Sequence, residues 1–251
     1  MNLERIFNEY HAVLDKHKKQ LAVLQFSLDD INAAKKTLCK NKSAYSYSFS
    51  TISMIIPKSM LPNHTIPRTL KNVKIVLSTK EEIVIKSLSK KRVEDPFSSL
   101  GTFNINLYSQ DSNHFASWHL DRHVQKQGEN SPSSLHPLYH LTFGGHHMEE
   151  EQNNNDDYDE FGRSLILRAP RVMHPPMELI LGIDFIFNHF VPKDKLDLLS
   201  DPGYLRIIKY LKFYFWMPFS LAIAKNYCER IAVDNEPLTF DDSFVSSVLS
   251  L

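Results

Sequence analysis

Helices at both ends of the chain and a mostly antiparallel sheet between them make up the α+β fold that the sequence predicts. Three patterns carry that expectation. Apolar residues recur at three- and four-residue steps up to Leu38. They alternate or run in short β-branched blocks from Tyr45 to Phe143, then return to the helical step after Met177. Strands gathered into one run, rather than alternating with helices, speak against a parallel βαβ sheet. With 251 residues and neither repeat nor linker, a single domain over 1–251 is expected.

The first helix rests on Leu3, Ile6, Phe7, Tyr10, Val13, Leu14, Leu21 and Leu24. Residues 27–30 offer caps for a second, shorter helix with the stripe Ile31, Ala34 and Leu38. Beyond Lys42, the residues Tyr45, Tyr47, Phe49 and 52–56 read as a strand ended by Pro57. Pro57, Pro62 and Pro67 hold the next stretch extended. Residues 72–78 and 83–88 are rich in Val and Ile and are predicted to form a hairpin around Thr79, Lys80 and Glu81. Further strands are expected over 102–108, 114–120, 138–143 and 165–168. Between the last two, residues 149–160 hold seven acidic side chains and three consecutive Asn, the composition of a solvated, mobile loop. Pro175 and Pro176 introduce a helix over 177–190 that starts at about Pro176. A long helix is expected from about Pro202, kinked at Pro218, and the pattern weakens after Glu236.

Composition narrows the function. Apolar residues are 42% and charged residues 23%, the proportions of an ordinary globular protein, which excludes wholesale disorder, collagen-like and disulfide-scaffold classes. Lys and Arg number 29 and Asp and Glu 29, so a globally basic nucleic-acid binder is excluded while a local basic groove is not. Cys39 and Cys228 form no CxxC pattern, and a reducing, cytoplasmic compartment fits best. The first 20 residues carry charges throughout and show neither the apolar core nor the cleavage site of a signal peptide. No transmembrane helix, and hence no membrane partner, is expected. The closest stretch, 204–224, is interrupted by Arg206, Lys209 and Lys212. With seven glycines there is neither GxxxxGK nor GxGxxG to cradle phosphates.

Histidine is unevenly spread. Seven of the twelve (His114, His119, His123, His136, His140, His146 and His147) lie within 114–147, about a seventh of the chain. On a strand, His119, Asp121 and His123 share one face and Trp118, Leu120 and Arg122 the other. Same-face neighbours are about 7 Å apart at Cα, near enough to converge on an ion whose imidazole ligands stand at about 2.0–2.1 Å. His119 and His123 are about 13 Å apart and converge only if the strand bends or ends. On a helix those two would instead be the convergent pair, but the β period of 102–108 favours a strand. The candidate metal set is therefore His119 and Asp121 with His140 or His136 from the next strand, for a divalent Zn, Mn or Mg ion. The candidate catalytic set is His119, Asp121, His123, His140 and Arg168, with His174 beside them. Without a metal, two histidines can serve as general base and acid on an RNA phosphodiester, with Arg122, Arg168 or Arg171 holding the phosphate. The lack of a clear Asp/Glu triplet argues against a two-Mg²⁺ nuclease. The bland alternative is that His and Asp merely fix one another. His146 and His147 are expected to be exposed and incidental, and His136 to begin a turn at Pro137.

A second block follows the acidic loop. Arg168 and Arg171 flank a proline turn, and His174 precedes the double proline. Glu178 falls in the first helical turn, where the dipole favours it. Asp184 lies in an apolar run and needs a partner if buried: Arg168, Arg171 or the histidine site. Over 204–231, basic residues Arg206, Lys209, Lys212, Lys225 and Arg230 interleave with aromatics. That pattern suits nucleic-acid contact, and suits better a core helix with a solvated basic face.

The runs WHLDRH (118–123), HPLYHLTFGG (136–145) and LRAPRVMHPPMELILGIDFIFNHF (167–190) resemble an uncharacterised bacterial family encoded beside a helicase in anti-phage defence loci. The resemblance covers roughly residues 100–230 and brings no catalytic residues with it. It implies a cytoplasmic bacterial protein that acts on or senses nucleic acid with a helicase partner. Zero net charge and the absence of helicase motifs suit a companion subunit. The leading expectation is a nuclease or phosphodiesterase centre on the histidine face. The alternatives are an accessory subunit with structural histidines that docks through 149–160 or 204–231, and a small RNase-type toxin.

Overall fold

A computed structural model of the chain describes residues 2–41, 44–63, 65, 68, 70–89, 91–110, 114–123, 137–144, 171–228, 231–233 and 236–249. Three helices open it: α1 (Leu3–Lys16), α2 (Lys18–Val23) and α3 (Leu28–Lys36). Asn2 caps α1 by accepting from Arg5 N at 3.1 Å, and Ser27 caps α3 by accepting from Asp29 N. The stripe Leu3, Ile6, Phe7, Tyr10 and Leu14 is buried, the face its spacing predicts.

The strands come next: β1 (Cys39–Asn41), β2 (Ala44–Tyr47), β3 (Thr51–Pro57), β4 (Asn72–Ser78), β5 (Ile83–Lys86), β6 (Arg92–Val93), β7 (Phe97–Ser99), β8 (Phe103–Ser109), β9 (Phe115–Arg122), β10 (Tyr139–Phe143) and β11 (Val172–Met173). All but β6 build two antiparallel sheets: four strands ordered β1-β2-β5-β7, and six ordered β11-β10-β9-β8-β4-β3. The predicted hairpin over 72–88 is therefore corrected. β4 lies between β3 and β8, whereas β5 lies between β2 and β7 in the other sheet. A Val- and Ile-rich pattern reports burial, which both strands have, and says nothing of the partner. The single strand expected over 45–56 is likewise two strands in two sheets. At the break, the Thr37 hydroxyl donates to Ser48 O and accepts from Ser48 N, taking up both backbone groups that a ladder would use. The strand expected over 165–168 lies outside the described residues, as does the acidic segment 149–160.

The last third is helical. α4 (Leu179–Phe190) starts after Glu178, not at Pro176. Glu178 is its N-cap rather than a first-turn residue, accepting from Leu181 N at 2.9 Å. α5 (Pro202–Lys225) is capped by Asp201 and continues past Pro218 to Lys225. Beyond it come β12 (Ala232–Val233) and β13 (Glu236–Pro237), then β14 (Thr239–Phe240) parallel to β6, and α6 (Asp242–Leu249). The core lies between the helices and the inner face of the six-stranded sheet. An added Cβ on Gly182 of α4 would stand 3.2 Å from Leu77 of β4 and 3.6 Å from Phe103 of β8. Rings join strand to helix at Tyr139–Phe219 and the stacked pair Phe97–Phe215, and Phe26–Phe187 joins the N-terminal helices to α4. No helix among the described residues is long and apolar enough to cross a membrane.

Candidate functional site

Strand alternation gives the six-stranded sheet two unlike faces. Phe103, Ile105, Leu120 and Tyr139 point into the core. Their neighbours on the outer face are polar: Asn104 and Asn106 on β8, Ser117, His119 and Asp121 on β9, His140 and Thr142 on β10. Register aligns them in rows. Asn104 pairs with His119, and His119 with Thr142. Asp121 pairs with His140, and His140 with Met173 of β11. Asn106 pairs with Ser117. Asn104, Asn106, Ser117, His140 and Thr142 are all buried despite their polarity. The Ser117 hydroxyl donates to Asn106 Oδ1 at 2.8 Å. Thr142 Oγ1 is sealed from solvent and has no hydrogen-bond partner.

Asp121 is the centre of this face. His119 Nε2 and His140 Nε2 both approach its Oδ2, each at 3.4 Å. The His140 ring also sets Nδ1 3.1 Å from Pro137 O and is almost fully enclosed. Exposure rises outward: 3% for the His140 side chain, 18% for His119 and 26% for Asp121. The open end is therefore formed by His119 and Asp121. Burial pushes the Asp121 carboxyl up. Hydrogen bonds from His140 and Thr102 and the charges of His119 and His140 outweigh it and hold the group below the ordinary carboxylate value. Among the described residues, no group of three or more His, Cys, Asp or Glu is arranged to hold a metal ion. Both imidazoles converge on one carboxylate oxygen instead.

Of the residues singled out in the sequence, then, His119, Asp121 and His140 come together. His123 stands one residue past β9, where its N–H bonds to Leu138 O at 2.7 Å. His136 and Arg168 lie outside the described residues. Arg122 is corrected as a phosphate holder. It is on the inner face, committed to Asp95 Oδ2 through Nε at 3.0 Å and Nη2 at 2.8 Å, and to Phe97 O. Tyr139 donates to the same Asp95 carboxylate. His174 joins Tyr139 O through its backbone and turns its ring toward Phe185 and Trp216. Burial pushes that imidazole below its ordinary value, against the opposing pull of Pro175 O. Asp184 takes its charge partner from Lys212 of α5 at 3.0 Å and a hydrogen bond from the Tyr204 hydroxyl at 3.0 Å. Asn188 of α4 also donates to it at 2.8 Å, so its described partners come from the two helices, neither from Arg171 nor from the histidine face. Arg171 itself directly precedes β11.

The sequence reading missed Asn104, Asn106, Ser117, Thr142 and Thr102. The signal was present: in 102–108 the polar residues alternate with Phe103, Ile105 and Leu107 and so mark one sheet face. No protein-family model, no curated protein and no solved structure matches the chain. Fold and site together define a class instead: an α+β protein whose larger sheet turns a buried polar face outward, centred on a carboxylate between two imidazoles.

Proposed function

We propose that this chain is a cytoplasmic component of a bacterial anti-phage defence system that acts on nucleic acid with a helicase partner, and that the outer sheet face is its phosphodiester-cleaving centre. The supporting observation is the Asp121 carboxylate held between His119 and His140 with its open side toward solvent. His119, at the open end, takes the proton from an attacking hydroxyl or water and returns it to the leaving oxygen. Asp121 orients that ring and supplies the counter-charge when it is protonated. His140, buried and tied to Pro137 O, is a positioning residue that fixes Asp121. Two exposed, unpaired cysteines, Cys39 and Cys228, accord with a reducing compartment.

The test is cleavage of labelled RNA and DNA, single- and double-stranded, by the purified chain with and without a chelator. His119→Ala is expected to lower the rate about 100- to 10,000-fold while circular dichroism stays unchanged. Equal rates for the variant and the wild type, or no cleavage of any substrate, overturn the reading. A stoichiometric metal lost in the variant replaces the proton-transfer centre with a metal centre.

A second reading, the accessory subunit, is favoured by one observation. On α5, Leu205, Tyr210, Phe213 and Met217 are exposed, with Phe213 at 61%. They lie on one side of the helix together with Arg206 and Lys209, a surface suited to a protein partner. Phe213→Glu should abolish helicase capture while leaving cleavage intact; retained capture removes this reading.

A further inference from the structure

The outer face of the six-stranded sheet carries a cavity of about 530 Å³ at the end away from the histidines, within the size range of small-molecule sites. Its floor is three strands wide: Ile55 of β3 pairs with Lys74 of β4, which pairs with Tyr108 of β8. Asn72 and Gln110 close one end, joined by an amide hydrogen bond of 3.1 Å. Gln25 forms a wall. Ile55 N donates to Leu24 O at 2.7 Å, which pins the end of α2 against the sheet. Gln25 itself turns the chain with φ at 48°, a left-handed conformation more usual for Gly or Asn. A long amide side chain thus stands where glycine would serve the turn better.

The lining has a definite chemistry. Among the described residues that line it, Lys74 is the only charged one and none is a carboxylate. Tyr108 offers an aromatic ring backed by Phe115, with centroids 4.9 Å apart. Three amide side chains and Ser109 add hydrogen-bonding groups. An anion is wanted at Lys74, a planar ring at Tyr108, and hydrogen-bonding edges at the amides; a cation is repelled. We propose that this cavity binds a nucleotide, with the base stacked on Tyr108, the phosphate at Lys74 and the base edge read by Gln25, Asn72 and Gln110. The assignment does not depend on cleavage at His119. Along β8, Tyr108 stands about 13 Å from Asn104, which pairs with His119.

The probes are UMP and AMP as free nucleotides and eight-residue RNA and DNA oligonucleotides, with binding followed by calorimetry and fluorescence anisotropy. Wild type is expected to bind at least one of them. Binding of the mononucleotides identifies a free nucleotide as the ligand. Binding of oligonucleotides alone identifies one unit of a strand. Tyr108→Leu is expected to weaken binding about 10-fold, and Tyr108→Phe to keep it. Lys74→Met, at an exposed position, is expected to reduce the slope of log affinity against log salt by about 0.7 for the oligonucleotide. His119→Ala is expected to bind the mononucleotides as wild type, which separates this site from the cleavage centre. The assignment is overturned if no probe binds, or if folded Lys74→Met protein binds with unchanged affinity and salt slope.

Discussion

Thr142 holds a hydroxyl that is sealed from solvent and unpartnered, beside His119 in the register of the sheet. Such a group costs about 1–3 kcal/mol, and an isosteric methyl does not. Thr142→Val is therefore expected to raise the urea midpoint, by about 1 kcal/mol in stability. A drop instead would mean that the hydroxyl has a partner. Asp121 works in the opposite sense. Its folded-state value lies below the ordinary 3.8, so its contribution is present above that value and is lost as pH falls through the lower one. In that acid window the unfolded chain has already taken up a proton that the folded chain resists. Asp121→Asn is expected to flatten the loss of stability on acidification below about pH 4, measured by urea titrations at successive pH values. The sequence made His119 and Asp121 legible as one face through their spacing alone. It left His140 and His136 open, because the register of β10 on β9 is set by tertiary pairing and not by any residue in WHLDRH. Asp184 shows the same limit: a buried carboxylate announces a need, and Lys212, 28 residues further on, meets it.

Elements were legible where their period was long and one-sided. The stripe of α1 is buried as read. The eight-residue α6 was missed because it buries only Phe244 and Val248, too few to show a period. The cap of α3, Ser27, falls within the residues the sequence offered, whereas that of α4 was read as a first-turn residue. Glu178 terminates α4 from outside the helix, fixed there by the Tyr47 hydroxyl at 2.9 Å, a contact from another sheet. Asp201 is the most connected cap. It accepts from Gly203 N at 2.7 Å and Tyr204 N at 3.2 Å, and it pairs with Lys16 at 2.6 Å and His17 at 3.0 Å. Those side-chain hydrogen bonds from Lys16 and His17 hold its carboxyl far below the ordinary range. Asp201→Ala removes all four contacts and is expected to cost about 2 kcal/mol, the upper end for a cap. Asp201→Asn keeps an acceptor for α5 and is expected to lose less than half as much. Equal losses in the two variants would assign the stability to the ion pairs with α1 rather than to the cap.

Across the whole molecule, the α+β class followed from where the periods change, and the division into two sheets did not. β4 and β5 are both rich in Val and Ile, which does not say that β4 packs under α4 in one sheet while β5 joins the other. That packing also links the core to the candidate site. β8 is shared: Phe103 faces α4, and Asn104, the next residue, faces His119. Gly182 sets how near α4 comes, since a Cβ there already meets Leu77 at 3.2 Å and Phe103 at 3.6 Å. A methyl can be met by small movements of the Leu77 methyl groups, and Ala gains about 1 kcal/mol over Gly in a helix. Gly182→Ala is thus expected to leave stability within about 1 kcal/mol of wild type. A leucine has no such room, and Gly182→Leu is expected to cost about 1–3 kcal/mol through overpacking. Because a leucine would press on β8 as well as β4, that variant is also expected to lose cleavage out of proportion to its folded fraction, whereas Gly182→Ala keeps it. Measuring both quantities on both variants makes the link testable. Lost stability with full activity per folded molecule would show that the outer face is held independently of the helical layer.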